Sequence, residues 1–186
     1  MQLKTARLIL REFTPKDVDA FAACAADADA RRFYEERDVV EEAAELVDLF
    51  VAWQQSEPRL HYQMAVVLKA SGQLIGTCGL RQRPQVSYGD GSPNEGDIGY
   101  NIHFDHRRQG YATEACRAML RFGFENLSLR RVWTFCLAEN EASWRVMERI
   151  GMRREGVLRD NVWVRGRSWD VALYAILQEE WAAHRA

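Results

Sequence analysis

Two hydrophobic periods take turns along this chain. One recurs every second residue, as a half-buried strand requires; the other every three to four, as an amphipathic helix requires. Residues 6–13, ARLILREF, follow the first, with Leu8 and Leu10 on one side, and predict a strand. Thr14-Pro15 reads as a helix start: Thr14 as N-cap, Pro15 at the first helical position, acidic Asp17 just inside. That helix is expected to reach about Ala28, with Val18, Phe21, Ala22 and Ala25 on its apolar face. Residues 29–38, DARRFYEERD, follow neither period and form a charged connector with two aromatics. A second helix is expected over residues 39–54, carrying Leu46, Val47, Phe50, Val51 and Trp53. Past Pro58, residues 61–68 and 73–81 read as two strands joined at Ala70-Ser71-Gly72. Residues 83–96, with Pro84, Gly89, Gly91, Pro93 and Gly96, read as a long turn-rich loop.

The stretch from Glu95 to Ala115, EGDIGYNIHFDHRRQGYATEA, changes period in the middle. Ile98, Tyr100, Ile102 and Phe104 alternate with Asp97, Gly99, Asn101 and His103, the pattern of a strand. A basic turn follows, His106-Arg107-Arg108-Gln109-Gly110. Then Ala112, Ala115, Cys116, Met119, Leu120, Phe122 and Phe124 give the apolar face of a helix. A strand entering a helix through a basic, glycine-bearing turn suits an anion. The first N–H groups of a helix lack helical partners, and its dipole is positive at that end. Gly110 lets a phosphate approach the backbone, because no Cβ stands in the way.

Residues 130–137 predict a further strand, and residues 139–150 a short helix with Gly151 as its C-cap. Residues 152–164 and 168–177 read as a final strand pair around Arg165-Gly166-Arg167. The order is β-α-α-β-β-β-α-β-α-β-β. It predicts an α/β or α+β fold with a mixed sheet, and a single domain over residues 1–186. Neither internal repeats nor low-complexity tracts interrupt it.

Composition narrows the partners. The chain has 186 residues, 47% hydrophobic and 28% charged, with 25 basic against 27 acidic residues and a net charge of −2. That is an ordinary globular composition with no overall pull toward nucleic acid, and no aromatic–basic stacking pattern supports such binding. Cys24, Cys78, Cys116 and Cys136 are scattered in apolar contexts, as buried reduced thiols of a cytoplasmic protein would be. Lys4, Arg7, Arg11 and Glu12 interrupt the apolar N-terminus, which is unlike a signal peptide, and no apolar run of about 18 residues could span a membrane. His103 and His106 flank Asp105, but a metal site needs three or four converging ligands, so no metal is expected.

The turn lacks the Lys-Ser/Thr of a P-loop and the G-x-G-x-x-G of a dinucleotide fold. Its spacing, Arg107-x-x-Gly110-x-Ala112 after Ile-Gly-Tyr-x-Ile-x-Phe, resembles the GNAT superfamily of acetyl-CoA-dependent N-acetyltransferases. Three more stretches carry the resemblance, specifically to the RimJ/RimL-type branch that acetylates protein N-terminal amines. They are the opening ARLILREFTPKDVDAF, the segment Asn140-Glu-Ala-Ser143 leading to Gly151-Met152, and the tail from Gly156 through Gly166 to Tyr174. The resemblance spans about residues 5–178 and implies a mostly antiparallel central sheet flanked by helices.

It also implies roles. Arg107, Arg108, Gln109, Gly110, Tyr111, Ala112 and Thr113 would hold the pyrophosphate of acetyl-CoA, chiefly through backbone N–H groups. Asn140 would bond the pantetheine arm, and Ser143 would protonate the departing thiolate. Read from the residues alone, Asn140 is equally a helix N-cap, Ser143 a first-turn serine bonded to backbone, and Arg145 a solvated cation rather than a contact to the 3′-phosphate. An amine attacks only when neutral, and its pKa is roughly 8 for an α-amine and roughly 10.4 for lysine, so a base is needed. Asp97 stands where the branch often has glutamate; one methylene shorter, it suits a bridging water, with Glu95 as the backup. The alternative is that both carboxylates are merely solvated at a strand entrance. Tyr34, Glu35 and Glu36 in the first connector would border a cationic amine, or else form a charged surface loop. The expected partners are acetyl-CoA and an amine acceptor, a protein N-terminus or a small molecule, with a homodimer open. A non-catalytic acyl-CoA sensor on the same fold is the competing function.

Overall fold

The structure, a computed structural model, describes residues 1–26, 38–83 and 94–183. Its strands are β1 (Gln2–Lys4), β2 (Leu8–Glu12), β3 (His61–Leu68), β4 (Leu74–Arg83), β5 (Glu95–Ile102), β6 (Arg131–Leu137), β7 (Arg153–Val164) and β8 (Arg167–Leu177). The helices are α1 (Val18–Ala25), α2 (Val39–Gln54), α3 (Tyr111–Glu125), α4 (Glu141–Arg149) and α5 (Gln178–Ala183). The strands are ordered β1-β2-β3-β4-β5-β6-β8-β7 in one mixed sheet. The β5–β6 pair is parallel, while β1–β2, β2–β3, β3–β4, β6–β8 and β7–β8 are antiparallel. The expected fold class is borne out.

Two compact units divide the chain: Met1–Arg81 with Gly99–Met119, and Gln82–Ile98 with Leu120–Ala186. In the first, the register sorts the side chains onto two faces. Leu10 pairs with Val66, and Met64 with Cys78, so these share one face; Ala65 and Val67 point to the other. Ala65 and Val67 belong to the core with Phe13, Phe21, Val47 and Phe50 from around α1 and α2. The rings of Phe13, Phe21 and Phe50 lie with centroids 5.1–5.7 Å apart. Burying each ring contributes about 2 kcal/mol. On the opposite face Cys78 touches Cys116 of α3 at 3.8 Å between sulfurs. Strand β4 is buried without a break from Leu74 to Leu80, as a strand covered on both faces must be. Gly76 is there for proximity: a Cβ on it would stand 2.1 Å from the Asn101 carbonyl oxygen and 2.9 Å from the Ile102 Cα.

In the second unit, β6 lies beside β5 on one side and β8 on the other. Leu129, Val132, Met147, Val171, Tyr174 and Ile176 are buried there. The β7–β8 hairpin turns at Arg165 and Gly166, both with positive φ (51° and 73°). Two successive left-handed residues match the right-handed twist of the strands.

Several boundaries differ from the sequence reading. The first helix is split into a 3-10 turn (Pro15–Asp17) and α1, ending at Ala25. The Asp17 carboxylate takes hydrogen bonds from the Thr14 N–H, the Thr14 hydroxyl and Arg11 in that turn. Strand β5 begins at Glu95, inside the supposed loop, and ends at Ile102. Phe104, expected to continue the strand on the side of Ile98 and Ile102, sits in a 3-10 turn (Phe104–His106) and is 54% exposed. Strand β1 and helix α5 were not anticipated: β1 is three residues and largely exposed, and α5 is six residues without a full apolar period. Trp181 anchors α5, stacked 6.0 Å from Phe124.

Candidate functional site

The basic turn lies in the first unit. Where β5 ends, the His103 N–H bonds the Ile75 carbonyl at 2.8 Å. The Arg107 Nε reaches back to the Ile102 carbonyl at 2.9 Å, and the Gln109 amide to that of Asp105 at 3.2 Å. Arg108 (φ 60°) and Gly110 (φ 82°) are left-handed, with Gln109 between them not so. For Arg108 that conformation costs roughly 1–2 kcal/mol. Backbone of alternating hand turns its N–H groups into a concavity that favours an anion. The first helical hydrogen bond of α3 is Glu114 N–H to Gly110 carbonyl, so the N–H groups of Tyr111, Ala112 and Thr113 precede the ladder. Arg108, Gln109 and Gly110 are exposed. A Cβ on Gly110 would meet only the Arg7 Nη2, at 3.5 Å. The seven predicted turn residues thus form one continuous, accessible cradle whose chemistry fits a phosphate.

A group of side chains that the sequence reading did not single out ties this turn down. Glu114 accepts from the Thr5 hydroxyl (2.6 Å), the Arg7 N–H (2.8 Å) and the Arg7 Nε (2.7 Å). Arg7 Nη1 donates to the Gln109 carbonyl at 2.9 Å, and its guanidinium lies 4.4 Å over the Tyr111 ring. Burial pushes the Glu114 carboxyl up, but the hydrogen bonds from Thr5 and Arg7 outweigh it and hold the carboxyl below its ordinary range. The signal was faint: one arginine near the N-terminus and one glutamate 107 positions later.

The candidate acid–base residues lie in the second unit. Asp97 is 3% exposed and meets the Arg83 Nε at 2.6 Å. The reading of a solvated carboxylate is therefore wrong for Asp97. Because β5 starts two residues before it, Asp97 sits inside the parallel ladder opposite Trp133, and a charge so buried needs a partner. Glu95 is half-buried, paired in register with Arg131 and 3.9 Å from its Nε. Arg131 is held mainly by Glu155, through contacts of 2.5 and 2.6 Å.

Asn140 caps α4, its side-chain oxygen accepting from the Ser143 N–H at 3.2 Å. This realises the capping role read from the spacing. Ser143 is half-buried, and the nearby Cys136 thiol lies 4.0 Å from the Asn140 carbonyl oxygen. Burial pushes that thiol up, partly offset by the hydrogen bond from Ser143 and the positive charge of Arg154. Arg145 pairs with Glu141 at 2.8 Å, both exposed, the solvated arrangement expected of it. Tyr34, Glu35 and Glu36 lie outside the described residues. Among the described residues, no three His, Cys, Asp or Glu side chains converge as a metal would require.

The family model for the acetyltransferase (GNAT) domain matches residues 7–153. The uncharacterized N-acetyltransferase YnaD of Bacillus subtilis is 33% identical over 97% of this chain and 99% of its own length. A crystal structure of a GNAT-family acetyltransferase from Bacillus anthracis superposes with a TM-score of 0.79 at 30% identity, covering 96% of this chain and 99% of that one. RimL, a ribosomal-protein alpha-N-acetyltransferase solved in complex with coenzyme A, shares the fold at a TM-score of 0.80 and 17% identity, over 95% and 98% of the two chains. The first three likenesses bear out the GNAT resemblance and the acetyltransferase reading, and that to RimL shows the shared fold. The chain belongs to the GNAT acetyltransferase family and is an acetyl-transferring enzyme.

Proposed function

We propose that this protein transfers the acetyl group of acetyl-CoA to a primary amine, a protein N-terminus or a small molecule, as a single cytoplasmic domain over residues 1–186. The observation that carries the reading is the turn from Arg107 to Thr113. Two left-handed residues and a helix start offer backbone N–H groups, with no Cβ at Gly110, where a pyrophosphate needs close approach. When bound, acetyl-CoA supplies the thioester whose carbonyl carbon the amine attacks. Asp97 takes the amine proton through a water, with Glu95 as the second carboxylate. The C–S bond breaks as the C–N bond forms, Ser143 gives its hydroxyl proton to the thiolate, and solvent water returns a proton to Ser143 while Asp97 releases the amine proton to solvent. Asn140 fixes Ser143 by capping α4, which is a structural service to that proton transfer.

Calorimetric titration with acetyl-CoA tests the cofactor half, and thiol release over a panel of amines tests the acceptor half. Micromolar binding by the intact chain is expected, lost in Gly110→Trp. Absence of binding to the intact chain, or tight binding with no turnover on any amine, would overturn the reading.

A further inference from the structure

Arg7 lies outside every residue assigned above, yet it touches the turn from the carbonyl side. The Gln109–Gly110 peptide is planar and trans, so its C=O and N–H point in opposite directions. Arg7 Nη1 holds the Gln109 carbonyl at 2.9 Å. The same contact therefore aims the Gly110 N–H away from Arg7. Arg7 is itself fixed from several sides. Its backbone N–H and Nε bond Glu114 at 2.8 and 2.7 Å, and its carbonyl accepts from the Lys69 N–H at 3.0 Å. Thr5 adds a third donor to Glu114 at 2.6 Å. Tyr111 lies beneath the guanidinium at 4.4 Å.

Two electrostatic consequences follow. A bare carboxylate in the first turn of α3 would repel an anion bound at that helix start, and Arg7 neutralises Glu114 through the pair at 2.7 Å. A bare carbonyl at Gln109 would let that peptide rotate and present oxygen to the anion, and Arg7 occupies that oxygen. Both effects need the planar fork of arginine, because one group must meet a carboxylate and a carbonyl together.

We propose that Arg7, held by Glu114, is a positioning residue for anion binding: it sets the direction of the Gly110 N–H and cancels the nearest negative charge. The inference rests on the reading of this turn as the coenzyme A pyrophosphate site. The test measures coenzyme A affinity by calorimetry, with inorganic pyrophosphate as a competing probe, for the full chain and for Arg7→Ala, Arg7→Lys and Glu114→Gln. Each variant is checked for folding by circular dichroism and thermal melting. Arg7→Ala should weaken coenzyme A by about tenfold, the measure of one lost charged hydrogen bond. Pyrophosphate competition should weaken in parallel. Arg7→Lys should recover only part of the loss, and Glu114→Gln should weaken binding although it removes a negative charge. In turnover, KM for acetyl-CoA should rise while kcat stays near that of the intact enzyme. A folded Arg7→Ala that binds coenzyme A as the intact chain does would overturn the inference. So would full recovery in Arg7→Lys, which would leave charge alone as the contribution, or unchanged or tighter binding in Glu114→Gln. No coenzyme A binding by the intact chain would instead sink the reading of the turn, and this inference with it.

Discussion

The turn after β5 and the acid–base residues are built on opposite plans. At the turn, side chains hold backbone: Arg7 on Gln109, Arg107 on Ile102, Gln109 on Asp105. In the other unit the candidate acid–base residues are side chains engaged by neighbours: Asp97 by Arg83, and Ser143 by Asn140 at its N–H. A backbone cradle tolerates many side-chain changes but not a change of φ. A side-chain site tolerates neither loss of the atom nor loss of the partner that orients it.

The sharpest way to break the comparison is at Asp97. Asp97→Asn should lower kcat by about a hundredfold or more if the carboxylate takes the proton. The same change leaves the Arg83 guanidinium without its carboxylate partner, so thermal stability must be followed alongside. A rate that falls only as far as the folded fraction falls would make Asp97 a structural partner of Arg83 and shift the base to Glu95. Ser143→Ala is expected to cost about tenfold to a hundredfold in kcat, with KM for acetyl-CoA little changed. Equal losses in kcat and in coenzyme A affinity would instead place Ser143 in binding.

Gly76→Ala tests the frame under the turn. Its Cβ would stand 2.1 Å from a backbone oxygen on the strand that delivers the turn, and backbone cannot step aside as a side chain can. A loss of about 3 kcal/mol in urea unfolding is expected. A loss under about 0.5 kcal/mol would mean that β4 and β5 separate freely there.

How much of this the sequence revealed depended on the range over which each feature is specified. The turn was legible because its signal is local: a strand period, two arginines, Gly110 and a helix period within about twenty residues. The β7–β8 hairpin was legible for the same reason, at Arg165-Gly166. Arg7 was not, because its role depends on a carbonyl about a hundred positions away, and no pattern along the chain records that pairing. For Asp97 the strand position was legible, but its burial was not. Alternation gave its place on a strand, while its burial depends on Trp133 opposite and Arg83 beside it. The break before α1 escaped because a Pro after a good N-cap looks the same whether an α or a 3-10 turn follows.

A smaller effect reads the turn's anchor through pH. Glu114 titrates lower in the folded chain than its ordinary value, so its ionised form favours folding. That contribution is complete above the ordinary value of about 4.5 and disappears as pH falls through the lower folded value. The intact chain should therefore exceed Glu114→Gln in stability at about pH 7 and lose that advantage as pH falls through the lowered folded value, as urea titrations down an acid series would show. A gap independent of pH would mean the carboxylate works by shape rather than charge.

The smallest expected effect separates both plans from ordinary surface. Arg145 stands in α4 two residues beyond Ser143, and its basic side chain makes it a tempting phosphate contact. Yet it already meets Glu141 one turn back, and both side chains are more than half exposed, 56% and 58%. Such a pair contributes little to stability, since water screens it and two long side chains must be ordered to form it. Arg145→Ala should thus leave coenzyme A affinity within about twofold and the melting temperature nearly unchanged. A tenfold loss of affinity at low salt, fading as salt is raised, would show that the exposed guanidinium leaves Glu141 for a phosphate.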